Sequence, residues 1–299
     1  MALRIVRSSD PITVDRLNVV IYGAPGLGKS SLAFTADTPL LLDFDRGAHR
    51  AANRKDTVRV DSWSDVAGFT AEDLAPYNTI IMDTVGRALD TLSADIISGG
   101  RDPKARGGSL TLQGYGKLKA EFIAFLKRLN SMGKDVVLIA HADEQRNGDE
   151  IIERLDVQGG SKGEVYKAAD AMGRIVIANG QRTLLFSPTD AAFGKNPGQL
   201  DPLPVPHKDA AEFDGFLAGV IQSIKDKLNA LTEEQREAQA ELEKWRTALA
   251  DVEDAEGVNA LAADAKDASR AVKALIHDRA LKLGLIADKA AGCYVAKAA

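Results

Sequence analysis

The sequence predicts an α/β protein on a doubly wound, mainly parallel sheet, followed by a small helical domain. Three observations carry that prediction. Short apolar, β-branched runs alternate with helical patterns over the first two hundred residues, the signature of βαβ units. Several runs end in Asp or His, and the carboxyl ends of parallel strands are where such sheets collect ligand-binding residues. Beyond a stretch rich in Pro and Gly, the apolar positions change to three- and four-residue spacing almost to the end.

In chain order, Leu17-Asn18-Val19-Val20-Ile21-Tyr22 reads as a buried strand ending at Gly23. A loop to Gly28 follows, and Lys29 to Phe34 opens a helix. Leu40–Asp43, Thr57–Val60 and Asn78–Asp83 read as the next three strands, two of them ending in an acid. Gly114–Met132 is an amphipathic helix with Leu118, Phe122, Phe125, Leu126 and Leu129 on one face. Asp135–Ala140 is a fifth strand ending at His141. Arg174–Ala178 and Gln181–Phe186 flank Asn179-Gly180, the favoured pair for a two-residue hairpin turn. Lys195 to His207 reads as a linker or extended arm, since it holds Pro197, Pro202, Pro204 and Pro206. The expected domains are therefore 1–207 and 208–299. In the second, Phe213 to Leu231 is helical, Thr232-Glu233-Glu234-Gln235 is a capping box that opens a new helix, and Leu261 to Leu283 is a third helix closed by Gly284.

Composition narrows the class. The chain has 299 residues, 45% hydrophobic and 27% charged, enough for a real core and a solvated surface. No apolar run approaches the roughly 18 residues that span a bilayer, and the first ten residues do not read as a secretory signal. Cys293 is the single cysteine, so no internal disulfide forms, and a reducing, cytoplasmic setting is expected. The net charge of −5 lies mostly beyond residue 210. It argues against nucleic-acid binding by bulk electrostatics but not against a local basic groove.

The chemistry concentrates in Gly23-Ala24-Pro25-Gly26-Leu27-Gly28-Lys29-Ser30, with Ser31 behind it. Glycines let successive backbone N–H groups turn inward around phosphate oxygens, and the following helix start adds its dipole. Lys29 is expected to reach the β- and γ-phosphates of ATP, and the Ser30 hydroxyl to ligate Mg²⁺. The pattern has its required context, a strand before and a helix after. Asp83 ends an apolar strand and fits the acid that holds Mg²⁺. Hydrolysis needs a base to orient water, and both Asp43 and Asp45 qualify. His141 is placed to sense the γ-phosphate by a hydrogen bond.

Leu42-Asp43-Phe44-Asp45-Arg46-Gly47 resembles the RecA segment in which an acid two residues after the first Asp is the catalytic base. The resemblance puts the base on Asp45, where RecA-type proteins usually carry the longer Glu. His141 falls where RecA has a glutamine that couples ATP state to DNA. Lys195-Asn196 resembles the Lys-Asn pair that reaches a neighbouring subunit's γ-phosphate. With Ile21-Tyr22-Gly23-Ala24-Pro25-Gly26, Ile139-Ala140-His141 and Ala169-Asp170, the chain resembles phage-encoded RecA-like ATPases of the single-strand annealing type, over roughly residues 17–200.

That resemblance implies a RecA-like core, a homo-oligomer (filament or ring) and a DNA-facing loop after the Mg²⁺ acid, in a bacterial host cytoplasm. The loop is Gly99 to Ser109, with Arg101, Lys104 and Arg106, and Tyr115, Lys117 and Lys119 just beyond. Basic, glycine-rich chain next to an aromatic suits a single strand. A second loop, Ala142 to Lys167, carries Lys162 but also seven acids. The acidic helical tail is expected either to dock a partner such as a single-strand-binding protein or to complete the fold. The reading is thus an ATP hydrolase dependent on single-stranded DNA, acting in annealing or recombination. The alternative is a P-loop switch or assembly ATPase that acts on a protein partner without DNA.

Overall fold

A computed structural model describes residues 12–99, 105–147, 150–157, 161–288 and 292–296. One compact unit is Val14–Leu228; the other holds Asn229–Ala299.

The strands of the first unit are β1 (Asn18–Gly23), β2 (Pro39–Asp43), β3 (Thr57–Arg59), β4 (Thr79–Asp83), β5 (Ala105–Arg106), β6 (Ser109–Leu110), β7 (Asp135–Asn147), β8 (Glu150–Leu155), β9 (Ala171–Ala178), β10 (Gln181–Leu185) and β11 (Leu203–Pro204). The helices are α1 (Lys29–Ala33), α2 (Ser64–Ala67), α3 (Val85–Ser98), α4 (Leu112–Ser131), α5 (Ser161–Ala168) and the start of α6 (Phe216–Ala250). The large sheet runs β11-β10-β9-β1-β7-β4-β2-β3. From β9 to β3 every pairing is parallel, and β10 and β11 add antiparallel at one edge. This is the doubly wound, mainly parallel α/β sheet expected.

The strands are apolar on both faces because helices cover both. Val20 and Tyr22 of β1 join the cluster under α3 and α4, while Val19 and Ile21 join the opposite one. Ile80 and Met82 against Ile81, and Val136, Leu138 and Ala140 against Val137 and Ile139, repeat that alternation. The Asn179-Gly180 turn has φ of 51° and 76°, the left-handed pair that a tight hairpin needs.

Several expected boundaries move. The fifth strand does not stop at His141: β7 runs on to Asn147 and pairs antiparallel with β8, from Ala142 opposite Leu155 to Asn147 opposite Glu150. The segment expected as a loop over 142–167 is therefore a ribbon followed by α5. Exposed Glu144, Gln145 and Arg146 leave such a ribbon without the apolar alternation that marks a strand. The Pro-rich arm is tied to the sheet through β11, and Val205 behind it is buried. Phe213, Leu217, Ile221 and Ile224 pack in the cluster with α1 and β1, so the first core extends to residue 228 rather than 207.

Helix α6 passes through Thr232-Glu233-Glu234-Gln235 without a break, since no Pro or Gly follows Gly219 within it. In the second unit, the helix expected over 261–283 is two: α7 (Ala255–Asp264), capped by Asp254, and α8 (Arg270–Lys282), capped by Ser269. They pack with Leu249, Val258, Val272 and Ile276 in one cluster, and a hairpin of β12 (Leu285–Asp288) and β13 (Cys293–Ala296) follows. Among the described residues no helix is long and apolar enough to cross a membrane.

Candidate functional site

The carboxyl ends of four neighbouring parallel strands form one row. Register sets Gly23 beside His141, and Asp83 beside both Ile139 and Asp43. The loop between β1 and α1 closes over this row. At Gly23 a Cβ would lie 2.5 Å from the Ile175 carbonyl oxygen of β9, so only glycine lets β1 turn there. Gly26 and Gly28 both have φ of 80°, the left-handed backbone that turns N–H groups inward.

Lys29 is buried. Its ammonium donates to the carbonyls of Gly23 (2.9 Å) and Ala24 (2.8 Å), and it lies 3.4 Å from Nδ1 of His141. Burial lowers the Lys29 pKa to about 8, against an opposing pull from the Asp83 charge. The Ser30 hydroxyl donates to Asp83 Oδ2 at 2.6 Å. Burial raises the Asp83 pKa, with Ser30 holding it down and the charges of Asp43 and Asp45 pushing it up. Asp83 does not cap α3; Thr84 does, accepting from the Arg87 N–H. Burial and then the Lys29 charge lower the His141 pKa, so its ring is neutral at neutral pH.

The two acids at the end of β2 have different fates. Asp43 is buried, and its carboxylate accepts from the backbone N–H groups of Gly47 (2.9 Å) and Ala48 (3.1 Å). It shapes the turn. Asp45, 32% exposed, borders a cleft of about 500 Å³ together with Gly26, Lys29, Ser30, Asp83 and His141. Arg50 stands 3.6 Å from Asp45 and also borders the cleft; Arg87, in the first turn of α3, stands 3.8 Å from it. A Cβ on Gly47 would come 2.5 Å from the Arg50 guanidinium, so a glycine is what lets Arg50 lie there. Arg182 of β10 lies equally close to Gly28, where a Cβ would meet its guanidinium at 2.6 Å. Arg50, Arg87 and Arg182 carry little signal in the sequence; an Arg four residues after the strand-ending Asp83 is the one available.

The donor set fits a phosphate chain with a hard cation. Lys29 and the glycine loop supply positive charge and N–H groups, and Ser30 with Asp83 supplies two oxygens. Among the described residues no group of three or more His, Cys, Asp or Glu could hold a metal. A cation held by Ser30 and Asp83 would take its remaining ligands from phosphate and water.

Other expected site residues lie elsewhere. Lys195 donates to the carbonyls of Tyr166 (2.7 Å) and Ala169 (2.6 Å), tying down the end of α5. Asn196 caps a local turn, accepting from the Leu200 N–H. Arg101 and Lys104 lie outside the described residues. Arg106 is exposed on β5, Tyr115 is 44% exposed on α4, and Lys162 is the second residue of α5. Lys117 pairs with Glu121 at 3.2 Å, and Lys119 with Glu164 at 3.8 Å.

A family model described as an AAA domain matches residues 15–197, more than half of the chain. The chain belongs to this AAA-domain family. The matched stretch holds the glycine loop, the row of strand ends and the cleft, so this is a P-loop nucleotide site carried by an AAA domain. No curated protein matches the chain significantly in sequence. Among solved structures it is similar to a KaiC-like protein from the hyperthermophilic archaeon Pyrococcus horikoshii OT3, at 9% identity and TM-score 0.33, over 56% of this chain and 77% of that one. It is also similar to an ATPase from the type III secretion system of pathogenic bacteria, at 14% identity and TM-score 0.33, over 54% and 51%.

Proposed function

We propose that the protein is a Mg²⁺-dependent ATP hydrolase whose turnover is coupled to single-stranded DNA. The observation that carries the hydrolase is the 2.6 Å Ser30–Asp83 hydrogen bond beside the buried Lys29, with Asp45 facing the same cleft. Mg²⁺, when bound, neutralises charge on the phosphate oxygens. Lys29 pulls on the terminal phosphates, and the glycine loop cradles the chain. Asp45 takes the proton of the attacking water, since Asp43 is committed to the backbone N–H groups of Gly47 and Ala48. Arg50 and Arg87 hold the Asp45 carboxylate and bring positive charge to the cleft.

Support for the DNA part is geometric. The half-exposed ring of Tyr115 stands at the start of α4, a few residues after the β5–β6 hairpin that carries exposed Arg106, so one short stretch of chain offers both an aromatic face and a cation. His141 lies 3.4 Å from Lys29, and its strand continues directly into the β7–β8 ribbon, so the cleft and the ribbon are joined by one continuous strand. Assembly into a homo-oligomer would line weak contacts along one strand.

The test measures ATP hydrolysis with and without single-stranded DNA, in wild type and Lys29→Ala. Stimulation by DNA that Lys29→Ala abolishes is the expected result. Hydrolysis that ignores DNA, with no DNA bound at low salt, sinks the coupling and leaves an ATPase acting on a protein partner. No hydrolysis at all sinks the enzyme.

A further inference from the structure

A second groove runs along β3, the edge strand of the large sheet, with a volume of about 530 Å³. Its cations are Arg46, Arg54, Lys55 and Arg59, with His49 among them, and its acids are Asp43 and Asp56. The acids are bonded inward but keep their charge, so the groove is net basic rather than uniformly basic. Asp43 accepts from two backbone N–H groups, and Asp56 accepts from the Tyr77 hydroxyl at 2.8 Å. Arg46 is paired with Asp61. Arg54, Lys55 and Arg59 are exposed and make no ion pair among the described residues. Arg54 and Lys55 stand on the ridge toward a further depression that holds Asp37 and Asp214, and Asp37 is itself bonded to Asn78.

Three unpaired cations clustered in a chain of net charge −5 need an explanation. Long cationic side chains held together repel one another, by about 1 kcal/mol per pair at 4 Å in water, and an anion relieves that. The lining names the anion. Ala48 is the one apolar side chain in the groove itself; the adjoining depression beyond Arg54 and Lys55 adds Pro39, Pro76 and Tyr77. The open charged groove therefore favours a phosphate backbone, and an acidic protein partner is the competing occupant. A phosphodiester backbone needs no apolar pocket; it needs cations at intervals along an open groove.

We propose that the β3 groove binds the phosphate backbone of single-stranded nucleic acid through Arg54, Lys55 and Arg59. The identity of the polymer rests on the single-strand reading above; the charge of the groove does not. The segment that builds the groove also builds the cleft. Residues 43–59 put Asp45 and Arg50 on the nucleotide side and Arg54, Lys55 and Arg59 on the outer side. A strand lying in the groove therefore rests on the same short stretch of chain that holds the proposed base.

The test is fluorescence anisotropy of a labelled mixed-sequence oligonucleotide with the full chain, at about 50 and 200 mM salt. Three phosphate contacts give a slope of log affinity against log salt of about −2, a loss of roughly sixteenfold over that range. The combined Arg54→Glu, Lys55→Glu, Arg59→Glu variant is expected to bind roughly tenfold or more weakly, with the slope flattened by about 2. ATP hydrolysis without DNA reports that the variant is folded, because none of the three lines the nucleotide cleft. Lys55→Arg, which keeps the charge, is expected to bind like wild type. An unchanged affinity and slope in the triple variant overturns the groove, and DNA-stimulated hydrolysis in the same preparation would still support the hydrolase reading. Polyglutamate displacing the oligonucleotide at equal charge overturns it in favour of an acidic protein partner. A wild type that binds no oligonucleotide at low salt overturns it as well.

Discussion

The cleft and the β3 groove lie on two sides of one segment, residues 43–59, and treat charge in opposite ways. In the cleft the charged groups have partners: Asp83 takes the Ser30 hydrogen bond, Lys29 donates to two carbonyls, and Asp45 lies in loose ion pairs between Arg50 (3.6 Å) and Arg87 (3.8 Å). Burial there moves pKa values. In the groove the acids are bonded inward, and Arg54, Lys55 and Arg59 are exposed with no ion pair among the described residues. Buried, paired groups are held in one geometry and can act on a bond. Exposed, unpaired cations attract a polyanion without selecting one pose, and salt weakens that attraction.

The sharpest way to break this contrast is at the acids of the cleft. Asp45→Asn is expected to lower turnover about a hundredfold while nucleotide affinity changes by less than about threefold, read by steady-state hydrolysis and by binding of a fluorescent analogue. An unchanged turnover would remove Asp45 as the base. Asp43→Asn should act through the fold instead. It loses one of two carboxylate bonds to backbone N–H groups and is expected to cost roughly 1–3 kcal/mol in urea unfolding.

A smaller effect follows from Lys29. Its pKa is lowered to about 8, so the ammonium is charged below that value and neutral above it. A charged Lys29 is what grips phosphate. The kcat/KM for ATP, which reports the free enzyme, is therefore expected to fall above about pH 8, by about tenfold per unit. A profile flat to pH 10 would show that the lysine keeps its proton when buried. The smallest effect tests the other side. Reversing Arg54, Lys55 and Arg59 is expected to change DNA-free hydrolysis by less than about twofold, since exposed charges away from the cleft are screened. A large drop would mean that groove and cleft are not separable.

Legibility followed the kind of signal. Gly23 to Ser31, Asp83 and His141 were readable because each is a polar or glycine punctuation at the end of an apolar strand, and parallel pairing aligns such ends. The strands themselves were readable because both faces are buried. The β7–β8 ribbon was not, because it is exposed and carries no apolar alternation. The helical pattern beyond residue 207 was visible, but its period says only that one face is apolar. It does not say that Phe213, Leu217 and Ile224 bury that face in the first core. Lys195-Asn196 resembles the pair that reaches a neighbouring subunit's phosphate, yet the Lys195 ammonium is tied to the carbonyls of Tyr166 and Ala169, which no local pattern announces.

By itself, the sequence determined the sheet class, the phosphate loop and the acid that bonds Ser30, because each follows from residue type and spacing within one element. Residue type and spacing left Asp43 and Asp45 both open, the RecA resemblance pointed to Asp45, and the tertiary structure shows why Asp45 is the one that borders the cleft. The two stand two residues apart, and a continued strand would point both the same way. β2 ends at Asp43, however, and the chain turns out of the sheet. The Gly47 and Ala48 N–H groups then claim Asp43, and Asp45 is swung into the cleft between Arg50 and Arg87.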